Sequence, residues 1–313
     1  MPRNNRRILA LGLMAFTIAP GAFVHAGQQG HAPQAFPLSN TVRERGVGVT
    51  GAFEGWYFDK DGSVNILVGY FNRNTKQDLD IPVGPNNRIE PGGPDRGQPT
   101  HFLPSRQYGV FAIRLPKDFG DKKLTWTLVA NGQTNTITLH TKPDWVVEPF
   151  EDSGSKNTPP VLRFEPGGPA ETGPPRRVSA SYSATVATPL ALALWATDVG
   201  PKVNVNPNPP GGGRRGTASG FTPPPPLAVS WSLYRGPGSV TFSEAKPSID
   251  KTDGRATTEA TFSAPGDYVL RVQANDQSGD GGGGFQCCWT NAHVAVTVHG
   301  DSTSRTPRGG GKE

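Results

Sequence analysis

Cys287 and Cys288 are the only cysteines in a chain of 313 residues, and they are adjacent. Across one trans peptide their Cα atoms lie about 3.8 Å apart, below the roughly 4.4–6.8 Å of ordinary disulfides. Three readings stay open: a vicinal disulfide, a bridge between two chains, or two free thiols. None of them staples distant strands, so stability must come from apolar cores. A second group is Asp198, Asn275, Asp276 and Asp280, whose side-chain oxygens are the kind Ca²⁺ takes. Asp59-x-Asp61-Gly62 is a further acidic pair without the rest of an EF-hand loop. Asx residues also close turns through local hydrogen bonds, and that reading stands beside calcium. Nothing else calls for a cofactor. The six histidines, at 25, 31, 101, 140, 293 and 299, are scattered, without the HxH or HExxH spacing that sets two imidazoles on one metal. There is no GxSxG, no P-loop and no GxGxxG after a strand. The run Gly281 to Gly284 lacks the following helix that phosphate binding needs. A glycosidase carboxylate pair is a matter of geometry that sequence does not display.

The elements that must position these residues are strands. Gly and Pro number 40 and 32, about twice the usual share, yet they cluster, and short alternating runs lie between the clusters. This is the look of an all-β chain with long loops. In 46–142, Val64, Ile66, Val68 and Tyr70 alternate, Leu124, Trp126 and Leu128 alternate, and Asn131-Gly132 is a strong hairpin turn. That segment reads as one β-sandwich. Residues 81–107 within it are turn-rich, and Pro keeps much of them out of central strands. Trp56, Tyr57, Phe58, Tyr70 and Phe71 could line a sugar-stacking face, although about half of any two-sided strand must point inward. Residues 143–177 read as a Pro/Gly-rich linker, with strand character only at Val161 to Phe164.

Residues 178–299 read as a second sandwich of seven strands. Leu227, Val229, Trp231 and Leu233 alternate with Ala228, Ser230 and Ser232, and Tyr268, Leu270, Val272 and Ala274 alternate with Val269, Arg271 and Gln273. Pro265-Gly266-Asp267 is a tight corner before Tyr268, the tyrosine-corner arrangement of immunoglobulin-like sandwiches. Two long Gly/Pro insertions, 200–226 and 277–284, fall in the B–C and F–G positions of that order, which share one pole. Phe221, Phe285 and Trp289 at those loops could act as aromatic anchors for a partner. Residues 300–313 read as a disordered tail.

Residues 1–26 read as a cleaved secretory signal: basic Arg3, Arg6 and Arg7, an apolar run from Ile8 to Ile18, and a Val24-His25-Ala26 cleavage site. Residues 27–45 then form a flexible lead-in. No later segment is long and apolar enough to span a bilayer, so an exported protein, periplasmic or extracellular, without an integral membrane segment is expected. The formal charge of +5 comes from 31 Lys+Arg and 26 Asp+Glu. Without the three signal arginines the count is 28 against 26, which offers no field for a polyanion such as nucleic acid.

The motifs PGDYVLRVQAND and VSWSLY resemble bacterial PKD and related Ig-like domains. That resemblance implies a fold more than an activity. The motifs GYFNRN, DIPVGPNNRIEPGGPDRGQPTHF and KKLTWTLVANG make the first domain similar to uncharacterised exported bacterial proteins, which implies an envelope location and brings no catalytic residues. The expectation is therefore two β-sandwich domains, the second Ig-like, in a non-enzymatic protein that binds or is displayed at the bacterial envelope. Its partner would be a protein or glycan of that envelope. The rival is a carbohydrate-active hydrolase with an Ig-like accessory domain, which would need two carboxylates about 5–10 Å apart in a first-domain cleft.

Overall fold

The structure, a computed structural model, describes residues 42–153, 156–198, 227–276 and 288–300. The first sandwich contains β1 (Val49–Phe58), β2 (Val64–Asn72), β3 (Leu79–Asp80), β4 (Asn87–Glu90), β5 (His101–Phe102), β6 (Ser105–Arg114), β7 (Leu124–Ala130) and β8 (Gln133–Leu139). Sheet β1-β2-β6 packs on sheet β4-β7-β8, with β3-β5 as a small ribbon beside them. Ile66, Val68 and Tyr70 on one face of β2 meet Ile89, Trp126 and Leu128 across the core. The turn-rich stretch 81–107 is held from inside. Asn87, fully buried, donates to the Ile81 carbonyl (2.9 Å) and the Pro99 carbonyl (2.7 Å) and accepts from the Trp126 indole (3.0 Å). One amide thus supplies hydrogen bonds that prolines in this stretch cannot donate.

The second sandwich contains β9 (Val161–Arg163), β10 (Val178–Thr185), β11 (Leu190–Thr197), β12 (Leu227–Arg235), β13 (Val240–Phe242), β14 (Arg255–Phe262), β15 (Gly266–Asp276) and β16 (Trp289–His299). Its sheets are β13-β14-β11-β9 and β10-β16-β15-β12. All pairings are antiparallel except β10 with β16. This is an immunoglobulin-like order in which the first strand is split between the sheets. β9 belongs to one half and β10 to the other. Tyr268 is buried and its hydroxyl donates to the Ala264 carbonyl at 2.8 Å, closing the corner expected from the sequence. Trp231 is buried between the sheets with Phe164 and Phe242 at its edges.

The stretch 143–177 is built into the fold and is not a free linker. Val147 hydrogen-bonds the Trp56 carbonyl (2.9 Å) and buries its side chain with Tyr57, Leu67 and Trp289. Farther on, β9 pairs with β11 and places Leu162 in the second core. The second sandwich therefore begins at β9. Its strand character at Val161 to Phe164 was legible, but three residues between Pro-rich flanks did not show that it pairs into the second sandwich. The two cores also touch. Tyr234 of β12 is part of the first sandwich's core, and Val269 of β15 packs against it. Residues 42–300, as described, thus belong to one compact unit.

Candidate functional site: the cleft between the sandwiches

The outer face of the β15-β16 ribbon lies against β6. Alternation places Val269, Arg271, Gln273 and Asn275 of β15 on that face, and β16 adds Trp289, Asn291 and His293 opposite them. In an isolated sandwich these residues would meet water. Here Arg271, Asn291 and Trp289 are buried, and each buried polar group needs partners. Arg271 donates from Nε to Asn291 Oδ1 (2.8 Å), from Nη1 to Gln107 Oε1 (3.0 Å) and from Nη2 to the Tyr108 carbonyl (3.2 Å). Asn291 in turn donates to the Gly109 carbonyl (2.9 Å).

Glu54 of β1 completes this cluster. One oxygen accepts from Arg106 Nη2 at 2.5 Å and the other from the Gly109 amide at 2.8 Å. Burial pushes its carboxyl up, against the pull of the Arg106 guanidinium and the Gly109 amide. Burial likewise pulls Arg271 down, yet a guanidinium stays charged in proteins. Two guanidiniums thus stand against one carboxylate, which pairs with Arg106 alone, and the cluster carries a net positive charge. His293, half-buried and stacked on Tyr234 with ring centroids 4.2 Å apart, falls to about 3 through desolvation of its ring and then the Arg271 charge. A second clasp joins the sandwiches farther along. Arg235 forks onto Asp95 (2.8 and 3.0 Å), donates to the Gln98 carbonyl (2.7 Å), and the Tyr234 hydroxyl donates to the Gly97 carbonyl.

Above this joint opens a cleft of about 930 Å³, near the upper end of ordinary ligand pockets, ~300–1,000 Å³. One wall is the start of β6 with its preceding turn, from Leu103 to Tyr108, and the other is the loop from Ala245 to Lys251. The floor is β12 from Leu227 to Ser232 with Arg271, Gln273 and Asn275 of β15. Arg106 stacks on the Tyr108 ring, its guanidinium carbon 4.2 Å from the centroid. Ser230 and Gln273 have no side-chain hydrogen bond to a described residue. Asn275 Oδ1 is buried without a hydrogen-bond partner among the described residues.

The sequence-derived candidates separate. Trp289 is not an exposed anchor but one of the most buried side chains, packed with Tyr57, Leu67 and Val147. A strand's outward face is exposed only when nothing covers it, and here the first sandwich does. Asp276 is buried and accepts from Asn157 Nδ2, a bond that ties the connecting stretch to β15. Asn275 lines the cleft, and Asp198 follows the end of β11. Among the described residues no three His, Cys, Asp or Glu side chains gather as metal ligands, so the calcium reading finds no cluster there. Asp280, Phe221 and Phe285 lie outside the described residues. Cys288 is buried and disulfide-bonded, and the chain's other cysteine is Cys287. Of the aromatics considered for a stacking face, Tyr57 and Tyr70 are buried, Trp56 packs on the first core, and Phe58 is exposed. Arg271 was legible only as a polar position on an alternating strand. Glu54, Arg106 and the cleft walls were not singled out, because the signal that finds them is the contact between sandwiches.

No family model matches this chain, and no curated protein does. Among solved structures, the D00-D0 domain of intimin is similar at 12% identity over 80% of this chain and 99% of that one, with a TM-score of 0.25. Domains 4 and 5 of the S-layer protein SbsC align at 13% identity over 80% and 96%, TM-score 0.22. An endo-fucoidan hydrolase of glycoside hydrolase family 107 aligns at 11% identity over 83% of this chain and 27% of that chain, TM-score 0.22. These likenesses are remote, and the functional reading rests on the cleft instead. Among the described residues no helix is long and apolar enough to cross a membrane.

Proposed function

We propose that this chain is an exported, non-enzymatic binding protein of the bacterial cell envelope whose ligand sits in the cleft between its sandwiches. The observation that carries this reading is the cleft itself. It takes walls from both sandwiches, and the buried Arg271 cluster fixes their relative position at its base. Its floor presents Ser230 and Gln273, whose side chains form no hydrogen bond to a described residue. A rigid concave surface with a few convergent polar groups is what specific recognition uses. Loops on such scaffolds bear the contacts while the strands hold them in place. The basic start and the cleavage site at Val24 to Ala26 support the exported location.

The test is affinity capture from envelope extract with the full chain and with Ser230→Trp, which fills the cleft floor. Capture by the parent and its loss in a variant with an unchanged unfolding midpoint is expected. Equal capture by both refutes the cleft as the site. Turnover of a captured glycan by the parent would instead establish the hydrolase reading.

A further inference from the structure

The ligand class follows from charge and unused hydrogen-bonding groups in the cleft, and it rests on the reading that the cleft is the binding site. Arg106, Arg271, Lys246 and Lys251 line it, against a single acid, Asp250. Arg271 is bonded only to neutral acceptors, and Glu54 is taken up by Arg106 and the Gly109 amide. The base of the cleft is therefore positive from beneath. Lys246 and Lys251 are exposed at the opposite wall, and neither forms an ion pair with a described residue. Glu244, beside them, accepts from the Lys246 backbone amide at 3.0 Å and does not line the cleft. Asp250 accepts from the Thr252 amide at 2.7 Å. A cleft with low-dielectric walls and one sign of charge concentrates ligands of the other sign.

Charge alone would suit any anion. The floor narrows it. Ser230 and Gln273, on neighbouring strands directly across from each other, add hydroxyl and amide groups that no described side chain or backbone group engages. The walls contribute apolar area from Leu103, Pro104, Pro247 and Ile249 and the ring of Tyr108. Donors, acceptors and flat apolar surface in one cleft match a chain of hydroxyl-bearing rings, and the cations match acidic groups along it.

We infer that the cleft binds an anionic, hydroxyl-rich polymer segment: a polyol or glycan chain carrying carboxylates or phosphodiesters. Lys246 and Lys251 meet the acidic groups at the mouth. Ser230 and Gln273 meet hydroxyls on the floor. Arg271 is a positioning residue that holds Gln107 and Tyr108 and supplies a field from below.

The experiment is calorimetric titration of the full chain with four probes: an oligogalacturonate, a glycerol-phosphate oligomer, a neutral cello-oligosaccharide of equal length, and a polyglutamate peptide. At least one acidic polyol is expected to bind about tenfold or more tightly than the neutral sugar and the peptide. The tighter of the two names the source of the charge. Raising salt should weaken it, since exposed charges are screened within about 10 Å at 0.1 M. Lys246→Gln with Lys251→Gln should weaken the acidic polyol about tenfold and leave the neutral sugar unchanged. Gln273→Leu should weaken it about threefold while leaving the unfolding midpoint unmoved, because its amide has no partner among the described residues. Equal binding of all four probes, or binding indifferent to salt and to the lysines, overturns the inference. So does polyglutamate binding as well as the polyols. If envelope capture is lost in folded Ser230→Trp but no acidic polyol binds, the cleft stands and this ligand class falls. If Ser230→Trp captures as the parent does, both fall.

Discussion

Gly109 lies directly against the Trp289 indole across the joint, and replacing it tests that packing. Its φ is +53°, and an ideal Cβ there would lie 1.8 Å from Cη2 and 2.2 Å from Cζ2 of Trp289. Carbon atoms in contact sit about 3.5–4.0 Å apart, so Gly109→Ala demands roughly 2 Å of movement from a fully buried, rigid indole. Left-handed backbone costs an alanine about 1 kcal/mol, and overpacking adds about 1–3 kcal/mol. The expected loss is about 2–4 kcal/mol, a large part of a domain's stability of ~5–15 kcal/mol. Gly120 supplies the control, because it has the same φ of +53° and nothing within 4 Å of its ideal Cβ. Gly120→Ala should cost about 1 kcal/mol, the backbone share alone. Trp289→Leu removes the obstructing ring, and in that background Gly109→Ala should fall to the Gly120→Ala value, a coupling of about 1–3 kcal/mol. Urea unfolding followed by far-ultraviolet circular dichroism reads all of these without depending on indole fluorescence. The packing argument fails if Gly109→Ala costs no more than Gly120→Ala, or the same with and without Trp289.

In the second core, Trp231→Ala should lower stability by about 3–5 kcal/mol. Tyr268→Phe, which loses only the bond to Ala264, should lower it by about 1 kcal/mol. Unchanged denaturation midpoints for both would contradict the Ig-like core. His293 should make stability pH-dependent. Its folded value is depressed to about 3 from a reference of 6.5, so between those values the unfolded chain binds a proton that the folded chain does not. The His293 contribution is therefore intact above pH 6.5 and lost as pH falls toward 3, with a slope of up to about 1.4 kcal/mol per pH unit. His293→Phe should flatten the slope over that window relative to the parent, and parallel pH profiles for the two proteins would rule the assignment out. For export, the mature N-terminus should be Gly27 or within a few residues of it. N-terminal sequencing that finds Met1 retained on membrane-bound protein rejects this.

Strand existence was legible because alternation survives in a single sequence. Leu227 to Leu233 and Tyr268 to Ala274 announced which side faced the second core, and those residues line it. The corner at Tyr268 was legible too, since Pro-Gly-Asp before an alternating Tyr is local turn chemistry. What alternation does not reveal is what covers the other face. Gln273 and Arg271 look alike as polar positions on β15 and both line the cleft, yet Gln273 is half-buried without a side-chain bond while Arg271 is buried and bonded to β6. Trp289 misled for the same reason. Beside a Gly-rich insertion it read as an exposed anchor, whereas Gly109 leaves a gap in β6 that its indole fills. The stretch 143–177 misled through composition. Prolines exclude central strands but do not exclude a three-residue edge strand such as β9, or a buried Val147.

The joint explains how a cleft between the sandwiches keeps a fixed shape. Desolvating a guanidinium and a carboxylate is expensive, and well-packed apolar residues of similar shape often stabilise as well or better. The polar cluster at the joint is therefore a poor source of stability for its size. What it supplies is register. Arg271 contacts Gln107, Tyr108 and Asn291 at once, and Glu54 contacts Arg106 and the Gly109 amide, so sliding either sandwich by one residue would leave several buried groups unpaired. An apolar joint would tolerate such sliding with a smaller penalty. The cleft depends on that register, because Tyr108 and Arg106 on one side and Ser230 and Gln273 on the other come from different sandwiches. Holding them fixed before a ligand arrives removes an ordering cost from binding. The same residues that set the register leave their surplus positive charge at the base of the cleft, so positioning and attraction come from one cluster.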